Sequence, residues 1–529
     1  MNLWKKPVAA VALINAGVAL AAFVKDILLA AYTGTSLYAD ALIMALFLPD
    51  SFGNNMLSAA ISVACVPIFS RLAATGNTDK LSSSMKRATI FFVAITVILT
   101  LLGYIFAVEI VGWLSGDAVR SAGAASRLAE ATLPLFRLLL PIALLYIVFA
   151  IGTAVLQTYR RFTIPALAPL AGNVIFLGGV VYCIAAGLPI SQGVAVIAAA
   201  ITASAAVMAV WIGRTSLTAM KRMAPLAKEP PAAASHADDT DGRKDIMSLF
   251  VPYVTVLFCI QAVYLAERFL LSPYDTGAVA ALNYAFRISQ FPSWVFVAAV
   301  STVILPSLAK QMALGEIGAM KLTMGEAFRS VILIAGPAMM FLFVLREPVT
   351  IALFQRGAFD ERSVHLTSGI LEGYSLTILS QALSLVLIRY FLAKRRLSGV
   401  VCVYLFSAVV TVVSDAALLR TIGVQGIGYG AMLGAAVNAL LLLLMYCRSV
   451  RLGLREAIGN LRRYIAVLVP PVLLLPLLHM GWSSVPSSRA AIAIWFVLGS
   501  GCLYVLIYWL AVKRFWPSLA AAPSIMRKG

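Results

Sequence analysis

The chain has 529 residues, of which 61% are hydrophobic and only 12% charged, and its mean hydropathy is +0.95. Soluble globular proteins carry about 25% charged and about 45–50% apolar residues, so this chain has too little polar surface to cover a water-soluble particle, which excludes a cytosolic enzyme, a secreted module and a disordered scaffold. The formal net charge of +19 does not point to nucleic acid, because Lys and Arg stand in short clusters between apolar runs, the pattern of cytoplasmic loops in a polytopic membrane protein.

A helix needs about 20 mainly apolar residues to cross the hydrocarbon core. Cutting the chain at charged or Gly/Pro/Ser-rich breaks predicts an all-α membrane protein of about fourteen crossing helices. The first, 7–32, follows Lys5 and Lys6 as a signal peptide would, but it runs on without a convincing cleavage site and reads as a span. Spans at 37–70, 88–113, 130–158, 164–187 and 191–213 complete an N-terminal lobe of six helices, residues 1–213. The only long polar stretch, 214–245 with its KEPPAAASHADDTDGRKD, reads as a flexible cytoplasmic linker. A second six-helix lobe, 246–447, holds spans at 246–271, 277–309, 327–345, 364–393, 398–420 and 424–447. Residues 448–529 add two more, at 463–480 and 490–512, and a cytoplasmic tail.

Charge bias tests the count. With the N-terminus inside, 29 of the 41 Lys and Arg fall on inner segments and seven on outer loops. The positive-inside rule then places both termini in the cytoplasm, which requires an even number of spans.

The two lobes echo each other. AISVACVPIFSRLAATGN (60–77) aligns without a gap on AVSTVILPSLAKQMALGE (299–316), and Tyr159-Arg160-Arg161 at the end of span four matches Lys394-Arg395-Arg396 at the end of span ten. Both pairs sit six spans apart, so the repeat is parallel. Two such lobes are a transporter architecture, with substrate between them and alternating access by rocking.

Ionisable residues inside spans cost about 2.5–3.5 kcal/mol each on insertion scales and usually face a cavity. Here they are Lys25, Asp26, Asp40, Asp50, Arg137, Glu267, Arg268, Arg287, Glu372, Arg389 and Asp415. Each has a bland reading. Lys25–Asp26 can be a self-neutralised pair, Asp40 a wetted residue near the outer end, and Asp50 part of a polar kink with Gly53-Asn54-Asn55. Arg137, Arg268 and Arg389 can snorkel to the interface. Glu267, Glu372 and Asp415 divide evenly between a coupling-cation site and buried ion pairs. Arg287, about ten residues from its span end, is hardest to explain structurally. Deep cations at Lys25 and Arg287, one from each lobe, suit an anionic substrate, with phosphate oxygens the commonest reason. The six cysteines lie in apolar runs without a CxxC pair, the three histidines make no metal-ligand spacing, and no Walker A loop, HExxH or Ser/His/Asp grouping occurs, so neither ATP hydrolysis by this chain nor another catalytic activity is expected.

LFQRGAFDERSV (353–364) resembles the LFxRGxF signature of MurJ/MviN-type lipid II flippases, members of the multidrug, oligosaccharidyl-lipid and polysaccharide exporter superfamily. QTYRRFTIPALAP (157–169), NYAFRISQFP to ILPSLAK (283–310) and the opening FVKDILLAAYTGTSLYADALIMALFLPD (23–50) are similar to further segments of that family. The resemblance implies carriage of a polyprenyl-pyrophosphate-linked peptidoglycan precursor from the inner to the outer leaflet of the bacterial plasma membrane. It also implies a cationic central cavity and a lipid-tail groove along the last two spans. By residue it assigns substrate binding to Lys25, Asp26, Asp40 and Arg287. A coupling-cation site, for sodium, falls on Glu267, Thr411 and Asp415, whose oxygens suit a hard cation. Lys25 stands where the family has Arg, and two family arginines are missing, at Ala19 and at Gly53-Asn54. The partners implied are the lipid-linked saccharide and membrane lipids, not nucleic acid. The alternative functions are export of another lipid-linked oligosaccharide and, further off, a multidrug/cation antiporter or a non-transporting scaffold.

Overall fold

The computed structural model describes residues 5–74, 78–116, 122–159, 161–223, 239–292, 307–308, 311–312, 314–394, 396–452, 461–483 and 490–515. No strand occurs among them. The chain packs as two compact units, Met1–Ala280 and Ala281–Gly529.

The first unit opens with α1 (Lys5–Thr33) and α2 (Leu37–Asp50), then a seven-residue π-helix (Ser51–Leu57) that leads directly into α3 (Ser58–Ala74). Next come α4 (Thr78–Ile105), α5 (Ala107–Leu114), α6 (Ala122–Leu139), α7 (Ile142–Thr158), α8 (Thr163–Ala185), α9 (Ile190–Met223) and α10 (Asp239–Leu271). Helix α11 (Ala278–Pro292) begins at the end of this unit. The second unit continues through α12 (Ile317–Val344), α13 (Arg346–Phe354), α14 (Glu361–Ala393), α15 (Ser398–Ile422), α16 (Gly426–Val450), α17 (Leu461–Ser483) and α18 (Ala490–Phe515).

Eleven stretches among the described residues are long and apolar enough to cross a membrane. One of them, Ser398–Val450, contains both α15 and α16, joined by a single 3-10 turn at Gly423–Gln425. The expected second span is the composite run Leu37–Ala74, no piece of which is long enough alone. The expected eighth starts as α11, and most of its remainder lies outside the described residues. Large apolar side chains point outward along these helices, for instance Ile90, Phe91, Leu101 and Ile105 on α4 and Trp495, Leu498 and Val505 on α18. A water-soluble chain does not leave such faces bare; the protein is a multi-pass membrane protein.

Several expected boundaries move. Helix α9 continues to Met223 and α10 begins at Asp239, so both ends of the expected 214–245 linker are helical, and 224–238 lie outside the described residues. RTSLTAMKRM has no Gly or Pro to stop a helix, and Leu, Met, Lys and Arg favour one. The expected third span breaks at Phe106, and the fourth breaks at Leu140–Pro141.

Proline breaks are compensated in the same way twice. Pro141 has no N–H to give the carbonyl four residues back, Arg137, and Tyr104 donates its hydroxyl there instead at 2.6 Å. Pro337 inside α12 orphans the Leu333 carbonyl, which accepts from the Tyr508 hydroxyl at 2.5 Å, while Tyr504 donates to the Pro337 carbonyl at 3.1 Å. An orphaned carbonyl in hydrocarbon is costly, so these tyrosines fix α4 to α6 and α18 to α12.

The neighbour pattern repeats between units. In the first, α9 packs on both α8 and α7, and α7 packs on α4; in the second, α16 packs on both α15 and α14, and α14 packs on α12. The second sequence echo has a matching geometry. Tyr159 N–H bonds Val155 O and Arg161 N–H bonds Leu156 O at the end of α7, while Lys394 N–H bonds Tyr390 O and Arg396 N–H bonds Phe391 O at the end of α14. Most of the 299–316 half of the first echo lies outside the described residues.

Candidate functional site

In the first unit, α1 carries Lys25 and Asp26, both buried. The ammonium lies 3.4 Å from an Asp26 carboxylate oxygen and 4.6 Å from the centroid of Phe176 on α8. The ammonium thus has a carboxylate and an aromatic face as partners. It has three N–H donors, so these two partners leave it able to donate to a further acceptor.

Asp40, only 3% exposed, is not a wetted residue. It lies in the first turn of α2, which Ser36 caps by accepting from Ala39 N–H. One carboxylate oxygen of Asp40 accepts from Gly277 N–H at 2.6 Å and the other from Ala280 N–H at 2.7 Å. These are the free donors at the start of α11, and a carboxylate there also meets the positive end of the helix dipole. Gly277 has φ +88° and a Cβ there would collide with the Thr35 carbonyl, so only glycine lets the two segments approach so closely.

Glu267 and Arg268 end the membrane-crossing part of α10, both buried. Arg268 donates to the Tyr264 carbonyl at 2.8 Å and stacks over Phe47, 4.4 Å from its centroid, a buried role rather than snorkelling. Arg137 is exposed.

In the second unit, Arg287 is half-buried on α11. The residues around it fix that helix. Phe286 meets Tyr374 of α14 edge-on, Gln290 donates to Gln381 at 2.6 Å, and Tyr284 packs against Phe354 and Phe359. Thr411 and Asp415 share one face of α15 by their four-residue spacing, and Ser407 precedes them on the same stripe. The stripe packs on Gly430, Gly434 and Asn438 of α16, which repeat the spacing. Asp415 is completely buried. Glu372 is ion-paired to Arg346 at 3.3 Å. Glu267 belongs to the other unit, and among the described residues no cluster of three His, Cys, Asp or Glu is arranged for a metal ion.

The LFQRGAFD segment is a helix-to-helix corner. Arg356 donates to the Ala352 and Leu353 carbonyls at the end of α13, Gly357 turns with φ +59°, and Phe354 and Phe359 are buried against Tyr284. Asp360 then caps α14, accepting from Ser363 N–H at 2.8 Å and from its hydroxyl at 2.7 Å. Those two bonds, the backbone one first, hold the Asp360 carboxyl below its ordinary value. Asp360→Ala is expected to lower stability by about 1 kcal/mol at neutral pH. Because the folded value is the depressed one, the cap's contribution is present above about pH 4 and fades as pH falls through the lowered pKa. Thermal unfolding of wild type and variant at pH 7 and pH 3 checks both statements.

Sequence reasoning passed over Ser407 and Asn438, and took Asn54 and Asn55 only as part of a polar kink beside Asp50. For Asn54 and Asn55 the signal was four- and five-residue spacing from Asp50, and for Ser407 the four-residue spacing from Thr411.

The family described as Lipid II flippase MurJ matches residues 29–493. The chain belongs to that family. It is 26% identical over 426 residues to Lipid II flippase MurJ of Burkholderia cenocepacia, covering 79% of each chain. It is 24% identical over 484 residues to Probable lipid II flippase MurJ of Buchnera aphidicola, covering 91% of each. Among solved structures, Lipid II flippase MurJ in an inward closed conformation superposes with a TM-score of 0.73 at 19% identity, over 96% of this chain and 99% of that one. An inward-facing multidrug resistance MATE family transporter of the MOP superfamily follows at 0.64 and 14%, over 83% and 98%. At these identities the superpositions establish the fold, and the family match places this chain's LFQRGAFD corner within a shared architecture.

Proposed function

We propose that the chain carries lipid II, a polyprenyl-pyrophosphate-linked peptidoglycan precursor, from the inner to the outer leaflet of the bacterial plasma membrane by alternating access, without catalysing a reaction. Family membership across residues 29–493 carries this reading. Both termini lie in the cytoplasm, and the six-helix lobes with two added helices form the moving parts. Lys25 and Arg287, one from each lobe, engage the pyrophosphate; Asp26 orients Lys25. Asp40 fixes the start of the helix that bears Arg287, and so acts on substrate through that arginine. A coupling cation, if the cycle uses one, finds oxygen donors in Thr411 and Asp415, with Glu267 as the family's third position. The polyprenyl chain remains in lipid, so only the headgroup requires shielding.

The test is complementation of a bacterial strain depleted of its lipid II flippase, with an outer-leaflet lipid II accessibility assay alongside. Rescue with restored outer lipid II is expected. Failure of a well-expressed, membrane-inserted protein would overturn the assignment and favour another lipid-linked saccharide.

A further inference from the structure

The run from Leu37 to Ala74 is interrupted midway by the π-helix Ser51–Leu57, where α2 and α3 are packed on α6 and α7. A π-turn closes its hydrogen bonds over five residues, as in Ser58 N–H to Gly53 O, so side chains at i+4 and i+5 both fall beside residue i; in an α-helix only i+4 does. The consequence is visible at Asp50. Asn54 donates to one of its carboxylate oxygens and Asn55 to the other, each at 3.3 Å.

Asn54 and Asn55 are exposed and Asp50 is half-buried. Between the apolar helices α2 and α3, a carboxylate with two exposed carboxamides does not suit a lipid-facing surface, since such groups are expensive in hydrocarbon and mark water-filled pathways. Each carboxamide spends one N–H on Asp50 and has a second N–H and a carbonyl oxygen still to offer. The face therefore presents donors and acceptors alternately and, beyond Asp50, no charge. Arginine at this place would read phosphate. Gly53 cannot be replaced without movement, because a Cβ there would lie 2.8 Å from Ala143 Cα. Mixed carboxylate and amide groups are what hydroxyl- and amide-bearing ligands require, since those ligands also donate and accept at once.

We propose that the Asp50–Asn54–Asn55 face of the π-turn is a saccharide-binding site, which reads the hydroxyl and amide groups of the lipid-linked sugar while the cations take the pyrophosphate. The proposal rests on the function given above.

The test uses full-length protein in nanodiscs and two probes, a polyprenyl pyrophosphate bearing a disaccharide and the bare polyprenyl pyrophosphate. Asn54→Ala/Asn55→Ala is expected to weaken the first probe at least tenfold and leave the second unchanged. In wild type, the free disaccharide is expected to compete with the first probe only, a measurement that does not depend on how the variant folds. Unchanged binding of the first probe by a folded variant, an equal loss for both, or no competition by free sugar overturns the proposal. Wild-type protein that binds neither probe overturns the flippase reading itself, and is distinguished from the other outcomes by the wild-type measurement alone.

Discussion

Arg287→Ala is expected to reduce outer-leaflet delivery of the substrate by more than 100-fold while the protein still inserts and folds. A guanidinium makes two parallel charge-assisted hydrogen bonds to phosphate, and losing bonds to a charged group worth about 1.5–3 kcal/mol each removes about 3 kcal/mol or more. Lys25 is a weaker choice for this test, because Asp26 and Phe176 already hold its charge, so its removal disturbs packing as well as substrate. Arg287 sits beside side chains that fix α11 without it: Tyr284 in the aromatic cluster with Phe354 and Phe359, Phe286 on Tyr374, and Gln290 on Gln381. Helix position should survive the substitution. Arg287→Lys should recover part of the activity, since charge returns without the planar fork. The readout is the outer-leaflet accessibility assay in the depleted strain, and normal complementation by a well-expressed Arg287→Ala protein would sink the role.

Much of this molecule could be read before its structure, and the residues show why. Crossing helices are recorded as runs of apolar residues, a one-dimensional signal, so their approximate limits follow from the order of amino acids alone. The end-of-helix echo at Tyr159–Arg161 and Lys394–Arg396 was legible because it is local, and the same two backbone bonds close both helices. Breaks were not legible where rescue comes from far away. Nothing near Pro141 or Pro337 announces that Tyr104 or Tyr508 will satisfy the carbonyl each proline orphans. The π-turn escaped for a different reason. Its SFGNNML sequence reads as a polar kink, which it is, but hydropathy cannot tell a four-residue turn from a five-residue one, and only the latter brings Asn54 and Asn55 to both oxygens of Asp50. The LFQRGAFD motif carried the family resemblance, yet its residues build a corner: Arg356 closes α13, Asp360 opens α14 and two phenylalanines bury the turn. A motif can identify a family through a fold requirement and say little about the ligand.

Asp40→Ala separates those two kinds of information at a single residue. The resemblance assigns Asp40 to the substrate, whereas both its carboxylate oxygens are occupied by the Gly277 and Ala280 N–H groups, 237 and 240 residues away in sequence. Removing the carboxylate leaves two buried donors unsatisfied at the start of α11 and removes a favourable charge from that helix terminus, together about 3 kcal/mol. For a unit of this size such a loss lowers the melting temperature by roughly 6–12 °C. Asp40→Asn keeps one acceptor oxygen for one of the two donors and should fall between. Thermal unfolding of the purified variants, read beside transport in the depleted strain, decides the matter. Loss of transport in proportion to loss of stability, with Asn intermediate in both, means Asp40 works by setting the start of the Arg287 helix. An Asp40→Ala protein as stable as wild type but inactive would mean that the cap contributes nothing and that the carboxylate acts on substrate directly. The geometry predicts the first outcome, because a carboxylate 3% exposed with both oxygens engaged has little left to offer a sugar or a phosphate.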